Sequence, residues 1–359
     1  MKKEAVTLVG VGDVQIDREE TPTIFRHVVE VLRSADIAYA NCEQALSDKG
    51  YPNMVQAAHA EPRSLDALLF AGIDVVSLAN NHSLDWGREA FVDTMCRLKT
   101  AGLPYVGAGN NVTEAHEPVI LERKGTRVGF LAYSCVHMPG YEATTHQAGV
   151  AQIRAWTIYE QAHYQPGTAP RVVTIARKED LENMVEDVKK LKEKVDVAVL
   201  CMHWGLPVAA KATPMYCYEI GHAAIDNGVD LIIGTHPHML QGIEMYKGKA
   251  IFYSTGDFAL ELGPHMRDHE HVKDMDAIYG TDHNRRKHSM IVKAIVEDGQ
   301  IKQVSYLPCH INRNSEPEFV GRTDDMGQDL FDFVEDSSRV GKMPVHFEWL
   351  GNGEVLVLP

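Results

Sequence analysis

Short apolar runs of strand length alternate along this chain with segments in which apolar residues recur at helical spacing. Residues 5–12, 197–202 and 229–234 are almost wholly apolar and rich in β-branched side chains, which is typical of strands buried on both faces. Residues 87–101 carry apolar side chains three or four positions apart, as an amphipathic helix does. The alternation is typical of βαβ units and predicts an α/β protein.

The same reasoning assigns elements to most of the chain. Strands are expected at 35–44, 74–79, 103–109 and 127–134, helices at 24–32, 64–73 and within 174–194, a hairpin at 289–308 that turns at Asp298-Gly299, and a final helix and hairpin beyond Asp324. The sequence contains no internal repeat and no low-complexity linker, so we expect one domain over residues 1–359. It has candidate insertions at about 137–170 and 264–288 and a C-terminal extension at about 311–359.

Polar residues follow five of the predicted strands, where each apolar run stops. They are Asp13, Asn41 with Glu43, Asn81 with His82, His203, and His236 with His238. In open α/β sheets, ligand-binding side chains collect at the carboxyl ends of the strands. Helix caps and turns are the ordinary explanation for single residues of these types, but not for carboxylates, amides and imidazoles at five strand ends. Because imidazole nitrogen binds zinc, iron, manganese and nickel, the pattern favours a metal site.

The composition narrows the class of partner. The 359 residues are 45% hydrophobic, enough for a large core, and carry a formal net charge of -15. This acidity argues against nucleic acid or an anionic membrane surface as a general partner, and no apolar run reaches the ~18 residues of a membrane helix. The N-terminal apolar run ends at Asp13 without a cleavage-like site, so we interpret it as a strand. Six scattered cysteines without a CxxC pair are typical of a reduced, cytoplasmic protein.

Six short motifs carry a family resemblance. They are GDV from Gly12, NCE from Asn41, LANNHSLDWG from Leu78, HWG from His203, GTHPH from Gly234 and YSTGDF from Tyr253. In order and context they resemble the CapA/PgsA poly-γ-glutamate capsule-synthesis family, a branch of the calcineurin-like metallophosphoesterase superfamily. The resemblance spans about residues 5–260. It implies a calcineurin-like metallophosphoesterase fold, a β-sandwich flanked by helices in four layers α/β/β/α, with a two-metal centre at the strand ends.

The resemblance also assigns roles to residues. It implies a catalytic role for His82 and metal-ligand roles for Asp13, Glu43, Asn81, His203, His236 and His238. Gln15 stands where the superfamily usually has a histidine, which implies that one metal site is short of a ligand, is weaker, or is completed by a residue from elsewhere. Asp257 is an extra carboxylate in the YSTGDF motif, and it joins Asn41 as a candidate additional site residue. The implied cofactor is a divalent transition metal, two ions, with manganese, zinc and iron left open.

The chemical logic of such a centre follows from its charges. Two cations bridged by a carboxylate such as Glu43 lower the pKa of a shared water, so that hydroxide is the nucleophile. The uncoordinated imidazole of His82 can stabilise charged oxygens or protonate the leaving group. Asp85 can orient that imidazole by accepting its second N–H, although it can equally cap the helix that begins near Gly87.

Two segments and three side chains are candidates for substrate contact. Residues 137–171 are rich in aromatic residues, proline and glycine and form a candidate insertion or lid. Residues 264–288 hold five histidines and a basic run, for which a solvated loop is the default and metal binding the alternative. We hypothesise that this loop closes over the site and that Arg285 or Arg286 grips an anionic substrate group. Trp204 is expected to pack beside the site or to form a pocket wall.

The expected function is that of a cytoplasmic metal-dependent hydrolase that uses a metal-bound hydroxide. The superfamily implies a phosphoester substrate, whereas the family name implies an amide or γ-glutamyl substrate, and both stay open. A non-catalytic component of poly-γ-glutamate or capsule-type polymer synthesis and a metal-assisted lyase of small-molecule catabolism are the alternatives. The expected partner is a small-molecule or short anionic substrate, with no nucleic acid and no membrane. The oligomeric state stays open, a homo-oligomer included.

Overall fold

The computed structural model describes residues 3–53, 58–163, 167–209, 211–261 and 285–359. The strands, in chain order, are β1 (Val6–Gln15), β2 (Ile37–Cys42), β3 (Ala45–Leu46), β4 (His59–Ala60), β5 (Val75–Ser77), β6 (Tyr105–Val106), β7 (Ala108–Gly109), β8 (Val119–Arg123), β9 (Thr126–Ser134), β10 (Gly149–Val150), β11 (Ala155–Glu160), β12 (Arg171–Ala176), β13 (Val197–His203), β14 (Leu231–Thr235), β15 (Ile243–Tyr246), β16 (Lys249–Phe252), β17 (Asp257–Leu260), β18 (His288–Glu297), β19 (Gln300–Ile311), β20 (Pro317–Phe319), β21 (His346–Trp349) and β22 (Val355–Leu358). The α-helices are α1 (Val29–Ser34), α2 (Leu65–Ala71), α3 (Gly87–Thr100), α4 (Val112–Ala115), α5 (Lys178–Lys192), α6 (Met215–Asp226) and α7 (Asp325–Val340), and short 3-10 helices span Thr21–Phe25, Pro62–Ser64 and Arg285–Lys287.

Most of these strands belong to two mixed sheets. Within the described residues, the large sheet has ten strands, in the order β21-β22-β19-β18-β1-β2-β5-β6, with β17 beside the end of β1 and β20 beside β19. The small sheet has six strands, in the order β15-β16-β14-β13-β9-β8. Near the sheet centres β1 is parallel to β2 and β17, and β13 is parallel to β9 and β14. Central parallel strands are buried on both faces, which explains the nearly continuous apolar runs in the sequence.

Three hydrophobic cores lie between four layers of structure. Leu8, Phe130 and Val199 belong to the core between the two sheets. A second core joins α1, α2 and α3 to the outer face of the large sheet. A third core joins α5 and α6 to the outer face of the small sheet. The α/β/β/α order that the family resemblance implied, that of a calcineurin-like fold, is thereby confirmed.

The first strand extends further than the sequence indicated. We expected it to stop at Gly12, but β1 continues through Asp13 to Gln15 because β17 pairs beside it, with Asp13 opposite Asp257. The backbones at Gly12 and Gly256 approach so closely that a Cβ on Gly12 would stand 1.9 Å from the carbonyl oxygen of Gly256. Glycine is the residue that allows such a backbone approach. Asp13 therefore lies within a strand and not in a loop after one.

The two candidate insertions differ in how much of them the structure describes. In the first, β10 pairs with β7, and β11 pairs with β12 to form a two-stranded ribbon. This segment has more regular structure than its weak periodicity indicated, because the run from Trp156 to Tyr159 consists of aromatic and β-branched strand formers. In the second, residues 264–284 lie outside the described residues, and the Arg285–Lys287 turn leads directly into β18.

The C-terminal part of the chain follows the predicted order of elements. β18 and β19 form the expected hairpin, and its turn residues Asp298 and Gly299 have φ angles of 49° and 76°, the conformation that this residue pair favours. α7 packs against β19 of the large sheet and β15 of the small sheet, and β21 pairs with β22 in the closing hairpin. Across the described stretches, no helix has the length and apolar character needed to cross a membrane.

Candidate metal centre

Strands of both sheets bring the predicted site residues together. The large sheet and the loops after its strands supply Asp13, Asn41, Glu43, Asn81, His82 and Asp257, and the small sheet and its loops supply His203, His236 and His238. Asn80, which was not predicted, joins the first set. Contacts cross between these two sets. His203 Nε2 lies 3.3 Å from Glu43 Oε1, and the backbone N–H of His236 donates to Asp13 Oδ2 over 3.2 Å. The strand ends that were expected to meet therefore lie at one seam between the sheets.

Asparagine amides fix the acidic side of the site. Asn41 Nδ2 donates to Asp13 Oδ1 over 2.7 Å. Asn80 Nδ2 donates in turn to the carbonyl oxygen of Cys42 over 2.8 Å and to Asn41 Oδ1 over 3.3 Å. Asn41 thus orients the Asp13 carboxylate, and Asn80 orients Asn41. Such supporting hydrogen bonds hold ligand groups in place before an ion binds.

The imidazole of His203 is oriented from the other side. Its Nδ1 lies 2.8 Å from Thr235 Oγ1, and the Thr235 hydroxyl can accept the ring proton because it donates its own to the carbonyl oxygen of Met202 over 3.3 Å. The second nitrogen, Nε2, then faces oxygen acceptors, Asn81 Oδ1 at 2.6 Å and Glu43 Oε1 at 3.3 Å. A nitrogen lone pair surrounded by oxygen lone pairs suits a cation.

Glu43 is fully buried, and no described residue donates a hydrogen bond to its carboxylate. In the described part of the chain, neither carboxylate oxygen of Glu43 has a hydrogen-bond partner, and neither does Nδ1 of His236. Burial of an unpaired carboxylate is strongly unfavourable. Ligand atoms of two groups, Glu43–His203–His236 and Asp13–Glu43–His238, lie within 4.8 Å of one another. These residues fit divalent cations, and Glu43 belongs to both groups.

Burial also sets the protonation of the ligand groups. It raises the pKa of Asp13 to about 7, with a further contribution from the charge of Glu43, and it raises the pKa of Glu43 itself. It lowers the pKa of His203 to about 3 and holds the pKa of His236 well below its usual value. These two imidazoles are therefore neutral at pH 7, the form in which imidazole binds a metal ion.

The turn at His236-Pro237-His238 is strained. His236 has a φ of 95° and His238 a φ of 53°, in the left-handed region that residues other than glycine rarely adopt. His238 Nδ1 lies 2.7 Å from Asp257 Oδ1. Burial would lower the pKa of His238, but the charges of Asp257 and Glu43 outweigh it and raise this pKa to about 10. Asp257 thus orients the His238 ring, and an ion that binds this ring displaces a proton.

His82 and Asp85 form a hydrogen-bonded pair. His82 Nδ1 lies 2.6 Å from Asp85 Oδ2, and the same oxygen accepts the backbone N–H of Ala58 over 2.8 Å. Asp85 does not cap α3, because the cap position belongs to Trp86 and no side chain bonds there. Of the two roles left open for Asp85, the geometry therefore supports orientation of His82. Burial would lower the pKa of His82, but the bond to Asp85 and the charge of Glu43 raise it.

Two residues expected near a substrate are engaged within the protein. The Trp204 ring is fully buried, donates from Nε1 to the carbonyl oxygen of Tyr253 over 2.8 Å and stacks on the Tyr253 ring. A fully buried ring offers no face to a substrate, so the geometry supports packing and argues against a role as a pocket wall. Arg285 pairs with Asp329 of α7 over 2.8 Å, which argues against the predicted grip on a substrate. For Arg286 that role stays a prediction.

Thr235 and Tyr141 touch the site but were missed from the sequence. Thr235 lies opposite His203 in the register of β13 and β14, which no local motif encodes. The Tyr141 hydroxyl lies 3.2 Å from Asp85 Oδ1, although 56 positions separate the two residues. Strand register in one case and loop packing in the other connect these residues to the site. The sequence signals were the position of Thr235 beside His236 and the place of Tyr141 within the candidate insertion at 137–171.

A β-sandwich between two helical layers, with carboxylate and imidazole groups gathered where strands of both sheets end, defines a calcineurin-like phosphoesterase fold. Residues 7–261 match the family model described as "Bacterial capsule synthesis protein PGA_cap". This match covers well over half of the chain, and the chain belongs to that family.

Two curated relatives are named for biosynthesis of a capsule or of PGA. The capsule biosynthesis protein CapA of Bacillus anthracis is 30% identical over 275 residues, which cover 73% of this chain and 61% of the relative. The PGA biosynthesis protein CapA of Bacillus subtilis is 26% identical over 265 residues, which cover 70% and 63%. The chain thus spans about three fifths of the length of these relatives. A solved phosphatase structure from Mycoplasma pneumoniae is similar with a TM-score of 0.49 at 14% identity, covering 92% of this chain and 100% of that chain.

Proposed function

We propose that this protein is a metal-dependent hydrolase of phosphoesters. The observation that carries the proposal is Glu43, which is buried, has no hydrogen-bond donor among the described residues and is shared by two groups of ligand atoms. A second feature supports it. The His82–Asp85 pair lies close enough to interact electrostatically with Glu43, so an imidazole held by a carboxylate accompanies the ligand groups.

The two ligand groups indicate which residues would hold which ion. One cation would be held by Glu43, His203 and His236, with Asn81 beside His203, and a second by Asp13, Glu43 and His238. Divalent cations such as manganese, zinc or iron would lower the pKa of water and neutralise the charge that develops on phosphoryl oxygens. Asn41 and Asp257 would keep the ligands Asp13 and His238 in position through their hydrogen bonds.

His82 would act as the general acid that donates a proton to the leaving group. Asp85 holds Nδ1 of the ring, so Nε2 is the atom that carries the transferable proton. Hydrolysis consumes one water molecule, whose oxygen forms a bond to phosphorus while the bond from phosphorus to the leaving oxygen breaks. The His82 proton ends on the departing oxygen, and the proton that water loses restores His82.

The charge of the site favours a phosphoester over a neutral amide. Asp13, Glu43 and Asp257 are carboxylates, and the chain as a whole has a formal net charge of -15. Without cations these charges repel an anion, whereas bound cations reverse the local potential and attract one. A neutral amide gains much less from that reversal. A small or short anionic substrate therefore fits best.

A second candidate is a non-catalytic role in the synthesis of a capsule-type polymer. It is supported by the curated relatives, which are named for capsule or PGA biosynthesis. In this role the ions would stabilise the fold or bind an anionic polymer without hydrolysing it. The presence of a hydrogen-bonded His82–Asp85 pair, which a binding module does not need, is why we place this candidate second.

Metal analysis combined with an activity screen tests the proposal. The purified protein is stripped with a chelator and reloaded with manganese, zinc or iron, and the ions are counted by plasma mass spectrometry. Wild type, Glu43→Ala and His82→Asn are compared on phosphate monoesters, phosphate diesters and γ-glutamyl amides. We expect about two ions per chain in wild type and in His82→Asn, and fewer in Glu43→Ala. Phosphoester turnover should fall about 100-fold in His82→Asn.

The outcomes separate the candidates. Turnover that depends on both the metal and His82 supports the hydrolase. Retained ions with no turnover on any of these substrates would favour the non-catalytic role, and turnover of the amides alone would replace the phosphoester. A wild-type protein that binds no ion after reloading would overturn both readings of the site.

A further inference from the structure

Tyr141 connects the first candidate insertion to the His82–Asp85 pair. The Tyr141 side chain is buried, and its hydroxyl lies 3.2 Å from Asp85 Oδ1 and 2.9 Å from Asn53 Oδ1. A hydroxyl has one proton to donate, and a carboxylate is the stronger of these two acceptors. Asn53 is itself fixed on the same turn, because its Nδ2 donates to the carbonyl oxygen of Leu84 over 2.9 Å.

The loop around Tyr141 is anchored to the helix that follows the His82 turn. Arg88, in the first turn of α3, donates from Nε to the carbonyl oxygen of Ala148 over 2.8 Å and from Nη2 to that of Gly140 over 2.6 Å. The backbone N–H of Val150 donates to the Tyr141 carbonyl oxygen over 2.9 Å. The hydroxyl is therefore held at a defined distance from Asp85 by the fold and not by a mobile surface chain.

The bonds to Asp85 divide between its two oxygens. Oδ2 accepts hydrogen bonds from His82 Nδ1 and from the backbone N–H of Ala58. Among the described residues, Tyr141 is the hydrogen-bond donor to Oδ1. Burial, followed by the charge of Asp85, raises the pKa of Tyr141 to about 12, so the hydroxyl keeps its proton and donates. Without this hydroxyl, Oδ1 of a fully buried carboxylate would lose that donor, and the carboxylate could rotate or draw more strongly on the His82 proton.

We propose that Tyr141 is a positioning residue that acts through Asp85 to hold the His82 imidazole. The loop at 137–150 then belongs to the reaction site and is more than a surface insertion. This inference rests on the hydrolase proposed above for its kinetic consequence, but the contact between Tyr141 and Asp85 does not depend on which reaction occurs.

The kinetic test compares Tyr141→Phe with Tyr133→Phe. Tyr133 is a matched control because its buried hydroxyl donates to another carboxylate, Asp187, over 2.8 Å. Both variants and wild type are loaded with manganese and assayed on phenyl phosphate and p-nitrophenyl phosphate. Phenol is the weaker acid, so its departure depends more on a proton from His82.

We expect a selective loss of turnover. In Tyr141→Phe, kcat on phenyl phosphate should fall about tenfold, which corresponds to about 1.4 kcal/mol of barrier, and clearly less on p-nitrophenyl phosphate. KM and the number of bound ions should not change, and Tyr133→Phe should match wild type. A loss of ions, or an equal loss on both substrates, would make Tyr141 a structural residue and overturn the proposal.

A spectroscopic readout separates this proposal from the proposed function. The Nδ1 proton of His82 is identified by NMR as the imidazole signal that His82→Asn removes. We expect that signal to shift in Tyr141→Phe and to stay in place in Tyr133→Phe, because only the first variant changes the carboxylate that accepts this proton. If no phosphoester is hydrolysed at all, the proposed function fails, and the signal still decides the role of Tyr141. A signal that does not move in Tyr141→Phe overturns the positioning role.

Discussion

Two buried glutamates in this protein differ in their surroundings. Glu43 has no hydrogen-bond partner within the described residues, whereas Glu316 lies 3.2 Å from Arg18 and 3.0 Å from Arg26. Removing the charge relieves an unpaired carboxylate but leaves the partners of a paired one unsatisfied. The same substitution is therefore expected to have opposite effects on stability at the two positions.

For Glu43→Gln we expect fewer bound ions and a more stable metal-free protein. In chelator at pH 7, the free energy of unfolding should exceed that of wild type by about 1–2 kcal/mol, because a buried charge is removed at nearly constant shape. Urea denaturation measures the stability, and plasma mass spectrometry counts the ions. The control Glu316→Gln should bind ions normally and be destabilised. A metal-free Glu43→Gln less stable than wild type would contradict the account of this site.

Trp204→Phe tests the conclusion that this indole packs and does not touch substrate. The variant should lose about 1–3 kcal/mol of stability, because the carbonyl oxygen of Tyr253 loses its donor and the core loses volume. KM should be unchanged. In the control Trp349→Phe, the indole N–H that is removed has no hydrogen-bond partner in the described stretches, so the loss should be smaller. An increase in KM without destabilisation would show that Trp204 contacts the substrate.

At the scale of elements, the carboxylate of Asp93 connects α3 to the loop after β3. The Asp93 carboxylate accepts hydrogen bonds from Ser47 Oγ over 2.7 Å and from Arg97 Nε over 2.6 Å. It also forms an ion pair with Lys49 over 2.9 Å. Burial would raise the pKa of Asp93, but these partners outweigh it and lower the pKa to about 2. A carboxylate with a lowered pKa stabilises the fold above its usual pKa of 3.8, and this stabilisation is lost as the pH falls toward 2.

Asp93→Asn should therefore destabilise the protein in a pH-dependent manner. We expect a loss of about 1–2 kcal/mol at pH 7, with the difference from wild type shrinking as the pH falls from about 4 to about 2. Urea midpoints across this range measure the effect. Asp66→Asn, at an exposed position on α2, serves as the control and should stay within about 0.5 kcal/mol of wild type. A difference that persists at pH 2 would show that packing, not charge, is lost.

Strand ends were the predictable part of this molecule. His203 and Glu43 could be assigned to one site because buried parallel strands leave a clear apolar run, and such a run ends where ligands collect. The loop that carries Tyr141 has no comparable pattern, since its contact with Asp85 depends on how the loop packs against α3. The extension of β1 past Gly12 was likewise hidden, because the strand that pairs there comes more than two hundred residues later.

At the scale of the whole molecule, the candidate ligands belong to both sheets. Glu43 follows a strand of the large sheet, whereas His203 and His236 come from the small sheet. Ions at this seam would cross-link the two halves of the sandwich. Because such an ion binds the folded protein and not the unfolded chain, it stabilises the whole structure by mass action.

Reloading the chelated protein should therefore raise its melting temperature in one cooperative transition. With free metal at about 1,000 times the dissociation constant, the expected gain is about 4 kcal/mol. Calorimetry with and without metal measures it, and Glu43→Gln is the control that should respond weakly. Two separate transitions, only one of which moves with metal, would contradict a centre that joins the sheets.

The position of β1 also has a consequence for synthesis of the protein. β1 lies between β2, which is made soon after it, and β18, which begins at His288. At a synthesis rate of about 5–20 residues per second, one edge of this apolar strand waits roughly 15–55 s for its partner on the ribosome. An unpaired strand edge is a template for aggregation. The yield of folded protein in a cell is therefore expected to depend on chaperones that cover this edge during translation.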